Sequence, residues 1–399
     1  MISRKLRILY KLLTAFFFLT LLLLFWEPHA QTAPLLVYVQ QYGAVGDGVT
    51  DDTGAIQAAL SATGDKPSIV VFEANKTYLM QRNVYLYSNT TINLNGATLC
   101  DGYAGGVTDE YVEWANGLRF LNHPHSANIS GYGALHNVRI TNGVIDGSCG
   151  SIISGVTFAF LHASDITFDN LEFRDCMAGT HIIDLGGCKN VTIHNCHFTG
   201  TYIANPAFQY REMIQIDSAL YKGMPYWDES GGAAYDGLPC ENIVISDCTF
   251  EQGQGTYAPN AIGTHTSYSK ASRNITIQGN TFYDCYSYAI RFPKVKNLTI
   301  TKNQFVSMGA QHAKSACFIY VSKKSQTGSS ATACKNIKIQ DNRFLGKKKK
   351  CIIPVKITGF PKLPFSHITI QGNQLSGTYK SRKSRFLWQC TNVKDCKIQ

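Results

Sequence analysis

Charge is scarce in this chain: Asp, Glu, Lys and Arg make up only 16% of 399 residues, against 44% hydrophobic residues. That balance excludes a disordered tail and a coiled coil, and 34 Gly with 12 Pro exclude a collagen. Thirteen cysteines are present, yet none forms a C-x-x-C pair, and their number is odd. Zinc ribbons, redox motifs and a disulfide framework therefore lack their usual spacing. The glycine-rich stretch near residue 46 lacks the phosphate-loop signature, so nothing argues for a nucleotide. Long apolar runs are missing too, apart from Leu12 to Trp26, which is short for a membrane span of roughly 20 residues.

That run follows Arg4, Lys5, Arg7 and Lys11 with no intervening acid. A basic head before an apolar stretch is the pattern of a secretory signal. Ala30 would end a cleavage site, but Pro28 is a poor residue two positions earlier, so a retained anchor stays open. Residues 1–33 are read as signal peptide or N-terminal membrane anchor, and 34–399 as one exported domain. The only membrane contact expected is through that leader.

The body repeats. NVTIHNCHF begins at Asn190, NIVISDCTF at Asn242, NITIQGNTF at Asn274, NLTITKNQF at Asn297 and NIKIQDNRF at Asn336. Each copy alternates apolar and polar residues with a period of two, then turns, then presents Asn or Cys and a large apolar residue. Such a unit cannot close a core alone, but stacked coils bury one. Asn or Cys at the fixed turn position would form an inward ladder. Cys196 and Cys248 share that position, which favours buried thiols over disulfides or a metal site. The expected fold is all-β, a single-stranded right-handed parallel β-helix with an N-terminal capping helix. The helix falls in YGAVGDGVTDDTGAIQAAL, residues 42–60, where Asp51 or Asp52 would cap a face of Ile56, Ala59 and Leu60.

That opening motif and the Asn-x-x-Ile copies resemble the pectate-lyase-like superfamily, which includes rhamnogalacturonases and epimerase-like proteins. The resemblance covers residues 38–399 and implies the right-handed β-helix. For reaction it implies little, since the superfamily holds lyases, hydrolases, epimerases and non-catalytic surface proteins.

The strands before each copy suggest where chemistry sits. THIIDLGG, MIQIDSAL, AIGTHTSY and YAIRFPKV begin at Thr180, Met213, Ala261 and Tyr288. With Ile214 and Ile216 inward, Gln215 and Asp217 face outward, and the same phase puts Asp184, His265 and Arg291 outside on adjacent coils. Tyr320 and Lys356 follow near the same row. This row reads as an active groove, or more plainly as a surface salt-bridge stack. Long interruptions beside it, residues 199–212 and 218–241, hold Arg211, Glu212, Tyr226, Trp227 and Tyr235, which would bind substrate together with Gln215. The aromatics would stack on sugar rings, or merely pack the loops.

Two reactions fit. In β-elimination on a uronate, His265 would be the base and Arg291 would hold the carboxylate. Asp184 and Asp217 would then bind a cation, with calcium the candidate, or protonate the leaving oxygen. In hydrolysis the two aspartates themselves would do the work, about 5 Å apart if stacked on adjacent coils. Of the polygalacturonase-type pattern only GTH at Gly263 and IRF at Ile290 resemble pieces, and neither matches.

Lys plus Arg is 37 against 27 acids, a net +10. This favours an anionic partner, an acidic polysaccharide above all, and hence the lyase. Part of the surplus lies in the leader and in Lys347 to Lys350, a run read as a solvated turn. Nucleic acid has no support beyond charge, because no binding module accompanies it. The expected function is an extracellular lyase cleaving an acidic glycan, with a glycoside hydrolase or a glycan-binding surface adhesin as alternatives.

Overall fold

The computed structural model describes residues 33–102, 119–122, 130–149, 157–177, 181–202, 212–220, 235–253, 260–264, 270–285, 288–306, 317–322, 332–346, 353–377 and 387–399. Leu35 to Gln399 form one compact unit. Residues 1–32, nearly all of the expected leader, lie outside the described residues. Among those described, no helix is long and apolar enough to cross a membrane.

Alternation in the repeats becomes a stack of parallel strands. Ile193, Ile245, Ile277, Ile300, Ile339 and Ile370 pair in register, coil upon coil, and all are buried. Each full coil gives one strand to a ten-stranded sheet and two to a 21-stranded sheet, all parallel. The ten-stranded sheet, called here the second sheet, stacks in chain order from Val84–Leu86 to Trp388–Thr391.

The turn between the two first-sheet strands of a coil needs a left-handed residue. Asn195, Asp247, Gly279, Lys302, Asp341 and Gly372 occupy it with φ between 49° and 68°. Asn, Asp and Gly tolerate that conformation, which explains the polar turn. The next residue points inward and forms the expected ladder. Asn280 donates to Asn303 Oδ1 at 3.0 Å, Asn303 to Asn342 at 2.9 Å and Asn342 to Asn373 at 2.9 Å. Each of these amides also donates to a carbonyl of the preceding coil, such as Ile245 or Ile277. Earlier coils use Cys196 and Cys248, whose thiols donate to the carbonyls of His194 and Ser246. Beside the ladder, Phe173, Phe198, Phe250, Phe282, Phe305 and Phe344 stack at 4.7–5.0 Å. Each buried ring contributes about 1.5–3 kcal/mol.

At the N-terminal end the helix Thr53–Ser61 buries Ile56, Ala59 and Leu60, the face its spacing predicts. Asp51 caps it, accepting from Thr53 N at 3.0 Å. Asp52 does something else: its two oxygens hold Val45 N and Gly46 N at 2.7 and 3.0 Å, closing the loop before the helix. Gly46 has φ +66°, and a Cβ there would meet the Tyr78 ring at 2.9 Å.

One disulfide corrects the reading of the cysteines. Cys100 and Cys149 are bonded, with Cα atoms 5.7 Å apart. They are 49 residues apart in sequence, but Cys100 pairs in register with Asp146, which delivers Cys149 to it. Ten other described cysteines are free, eight of them buried.

Candidate functional site

Register on the second sheet sets the site. Ala159, Asp184, Gln215, Gly263, Arg291, Tyr320 and Lys356 form one column down the outer face. Their neighbours Ile214, Ile262, Ile290 and Ile319 fill the core. The apolar-polar phase thus places Asp184, Gln215 and Arg291 together. Asp217 differs from expectation: it pairs with Gly186, not Asp184, so the expected single row is two rows. Adjacent strands about 4.8 Å apart and a two-residue offset put the Cα atoms of Asp184 and Asp217 about 8 Å apart. Stacking at about 5 Å does not occur. His265, which continues the Asp217 phase, lies outside the described residues, as do Arg211, Tyr226, Trp227 and Lys347 to Lys350.

The row is not a solvated salt-bridge stack either. Asp184, Gln215 and Asp217 each have 0% exposure, and Glu212 has 1%. Gln215 Nε2 donates to Asp217 Oδ2 at 2.8 Å. Glu212 makes an ion pair with Arg291 at 2.8 Å, across the intervening coil that carries Gly263. A Cβ at Gly263 would lie 2.9 Å from Glu212 Oε1 and 2.7 Å from the Arg291 carbonyl. Glycine there is what leaves room for the pair. The Glu212 carbonyl in turn contacts His181 Nδ1 at 2.5 Å, and His181 is buried.

Burial alone would depress the Arg291 guanidinium, but the charge of Glu212, with Tyr288 and Asp217, holds its pKa above the usual value. Arg291 is a permanent cation already matched by a carboxylate. Glu212 and Gln215, expected to touch substrate, are in contact with Arg291 and Asp217 respectively. Tyr235, expected either to stack on sugar or to pack its loop, is half-buried against a small outer cluster of Leu121, Ala159, Leu161 and Ala219. This follows from Ala219 and Leu238, whose mutual backbone bond lays residues 235–240 against the sheet.

The more open half of the column is aromatic and cationic. Arg291 sits over the Tyr288 ring at 5.1 Å, Tyr288 lies 6.4 Å from Tyr320, and Lys356 sits over Tyr320 at 5.6 Å. Cations over aromatic faces hold such side chains in place by about 0.5–2 kcal/mol each. Gly263, Tyr288 and His181 were not singled out as site residues. A glycine between outward Gln215 and Arg291 is the signal that would have marked the first. Among the described residues no group of three or more His, Cys, Asp or Glu side chains is disposed to hold a metal ion.

Comparison with known proteins adds to this geometry. Over 297 residues, 67% of this chain, the sequence is 29% identical to plasmin and fibronectin-binding protein A of Streptococcus pneumoniae. Over 272 residues, 61% of the chain, it is 27% identical to a probable polygalacturonase of Arabidopsis thaliana. The matched regions span 38% and 58% of those relatives' lengths. The S. pneumoniae surface protein and adhesin PfbA superposes with a TM-score of 0.70 at 23% identity, covering 91% of this chain and 89% of the other. A hyperthermoactive exopolygalacturonase from Thermotoga maritima superposes at 0.52 with 13% identity, covering 87% and 88%. These likenesses establish the fold. The model of the right-handed β-helix region matches residues 162–375, more than half of the chain, and the protein belongs to that family.

Proposed function

We propose that the protein is an extracellular glycan-cleaving β-helix that hydrolyses a glycosidic bond at Asp184 and Asp217. The observation that carries this reading is their offset. Two carboxylate side chains stand on adjacent strands with a two-residue offset, about 8 Å apart at Cα, and side chains running parallel from there would hold their carboxyl groups at the separation an acid and a water-activating base need. The Gln215 amide and the positive field of Arg291 suit Asp217 to the carboxylate role. Asp184, flanked in register by Ala159 and the outer apolar cluster, suits the acid. Elimination is less well supported than the charge balance alone suggests. Its cation must hold a uronate, and Arg291 is already engaged by Glu212.

A second reading is supported by the likeness to a plasmin- and fibronectin-binding protein and by the burial of both aspartates. In it the protein is a cell-surface adhesin, and the Tyr288, Tyr320 and Lys356 half of the column meets the partner.

Incubation with acidic and neutral polysaccharides, with and without calcium, separates these. New reducing ends without unsaturated-uronate absorbance support hydrolysis, and Asp184→Asn or Asp217→Asn then lowers turnover by at least about 10³-fold with folding intact. Both signals together would restore the lyase. Neither signal, with tight retention of one glycan or protein, would make it an adhesin.

A further inference from the structure

On the first sheet the outer face changes character toward the C-terminus. In its middle coils the charges are matched: Arg139 with Asp169, and Arg273 with Glu241 at 2.7 Å. Beyond them the strands Lys335–Gln340, Phe365–Gln371 and Val393–Ile398 stack in register. On these, Lys335, Ser366 and Lys394 form one column, and Lys338, Thr369 and Lys397 another three residues on. All four lysines are exposed. A groove of about 530 Å³ runs along the second column, lined by Lys338, Thr369, Lys397, His367 and Asp395 among others. Asp395 is the one carboxylate in that lining, and it faces His367 at 3.8 Å.

We infer that this groove is a second binding site, distinct from the second-sheet column, for a linear polysaccharide carrying carboxylates. Lys338 and Lys397 stand two coils apart, about 9.6 Å, with an uncharged Thr369 between them. An extended polyanionic chain lying along the column would meet both cations, one at each end of that interval. Thr369, half-buried between the two lysines, offers its hydroxyl to the intervening sugar. Lys335 and Lys394 repeat the same two-coil interval and add to the field over the groove. The site needs no catalysis, and it stands whether or not Asp184 and Asp217 cleave anything.

The test uses the full chain, with polygalacturonate immobilised as the probe and dextran as the neutral control. Lys338→Gln with Lys397→Gln is expected to weaken retention on polygalacturonate about three- to tenfold at low salt. Lys66→Gln with Lys76→Gln, an equal loss of charge at the far end of the solenoid, is expected to leave it unchanged. Asp184→Asn, which disarms the other face, is also expected to leave it unchanged. Equal losses in both lysine pairs would reduce the effect to net charge and overturn the site. Loss of retention on Asp184→Asn would assign the binding to the second sheet instead. Retention of a polyphosphate or a sulfated glycan as strong as that of polygalacturonate would overturn the assignment to carboxylates.

Discussion

The outer faces of the two sheets obey different rules. On the first sheet the outer residues repeat with the coil: Asn190, Asn242, Asn274, Asn297 and Asn336 each pass a side-chain hydrogen bond to the coil before, Asn190 to Asp165 and the others to the preceding Asn. All but the half-buried Asn242 are exposed, and their φ lies between 54° and 57°. On the second sheet nothing repeats. Asp184, Gln215, Gly263, Arg291, Tyr320 and Lys356 are six different residue types in one column, and the polar members at its acidic end are fully buried. A solenoid's repetition satisfies its own backbone. Where repetition lapses and polar groups are nonetheless buried, the cost has been accepted for something other than the coil.

If that contrast is right, the largest effect of substitution belongs to the Glu212–Arg291 pair. Arg291→Met leaves a carboxylate with 1% exposure beside no cation, and the expected loss is about 3–5 kcal/mol. Arg291→Met with Glu212→Gln removes both charges and is expected to recover most of it. Urea unfolding of the two variants checks this. Equal losses in both would mean that the pair, as a pair, does not matter.

Next in size is the inner ladder. Asn303 accepts from the Asn280 backbone N–H and amide, and donates to Ile277 O and Asn342. Asn303→Ala orphans these groups in a fully buried site, at about 2–3 kcal/mol. The equivalent loss at Cys248, whose thiol is a weak donor, is expected to be about half that.

Buried thiols make the interior sensitive to alkali. Burial pushes Cys317 and Cys334 up to about 12 from an ordinary 9.0, and raises Cys176, Cys285, Cys240 and Cys248 as well. A thiol raised in the folded state contributes stability that is whole below pH 9 and is lost as pH rises toward 12, because the unfolded chain ionises first. The expected slope is about 1.4 kcal/mol per pH unit for each such thiol. Lys294, depressed by burial, works the other way, gaining stability as pH rises toward 10.5, but it is one group against several. Urea midpoints should therefore fall between pH 9 and 11, and Cys317→Ala with Cys334→Ala should flatten the decline. A flat profile in the parent protein would show that the thiols are not shut away.

The fold was legible because it is periodic. Asn-x-x-Ile names the strand, the turn and the inward position at once, and each copy corroborates the last. The candidate site was legible only in phase. Alternation put Asp184, Gln215 and Arg291 on one face, but register between coils depends on turn lengths that differ from coil to coil. That is how Asp217 came to sit beside Gly186. Burial of outward residues was not legible at all, since it depends on segments such as residues 235–240 folding back over the sheet. The Cys100–Cys149 bond was hidden for a related reason, because it joins a strand to the end of another 49 residues away.

The smallest effect separates conformation from hydrogen bonding in the outer ladder. Asn274 lies at φ 57°, donates to Asn242 and accepts from Asn297, all in contact with water. Water replaces either bond at little cost, so Asn274→Gly, which keeps the left-handed backbone open, is expected to stay within about 0.5 kcal/mol of the parent. Asn274→Ala loses the same bonds and, unlike glycine, keeps a Cβ in the left-handed region without the polar side chain that lets Asn tolerate it, so a loss of about 1 kcal/mol is expected. Denaturation midpoints of the two variants resolve the difference. Should the glycine variant lose as much as Asn303→Ala, the exposed ladder would be carrying stability like the buried one, and the distinction between the two rows of asparagine would fail.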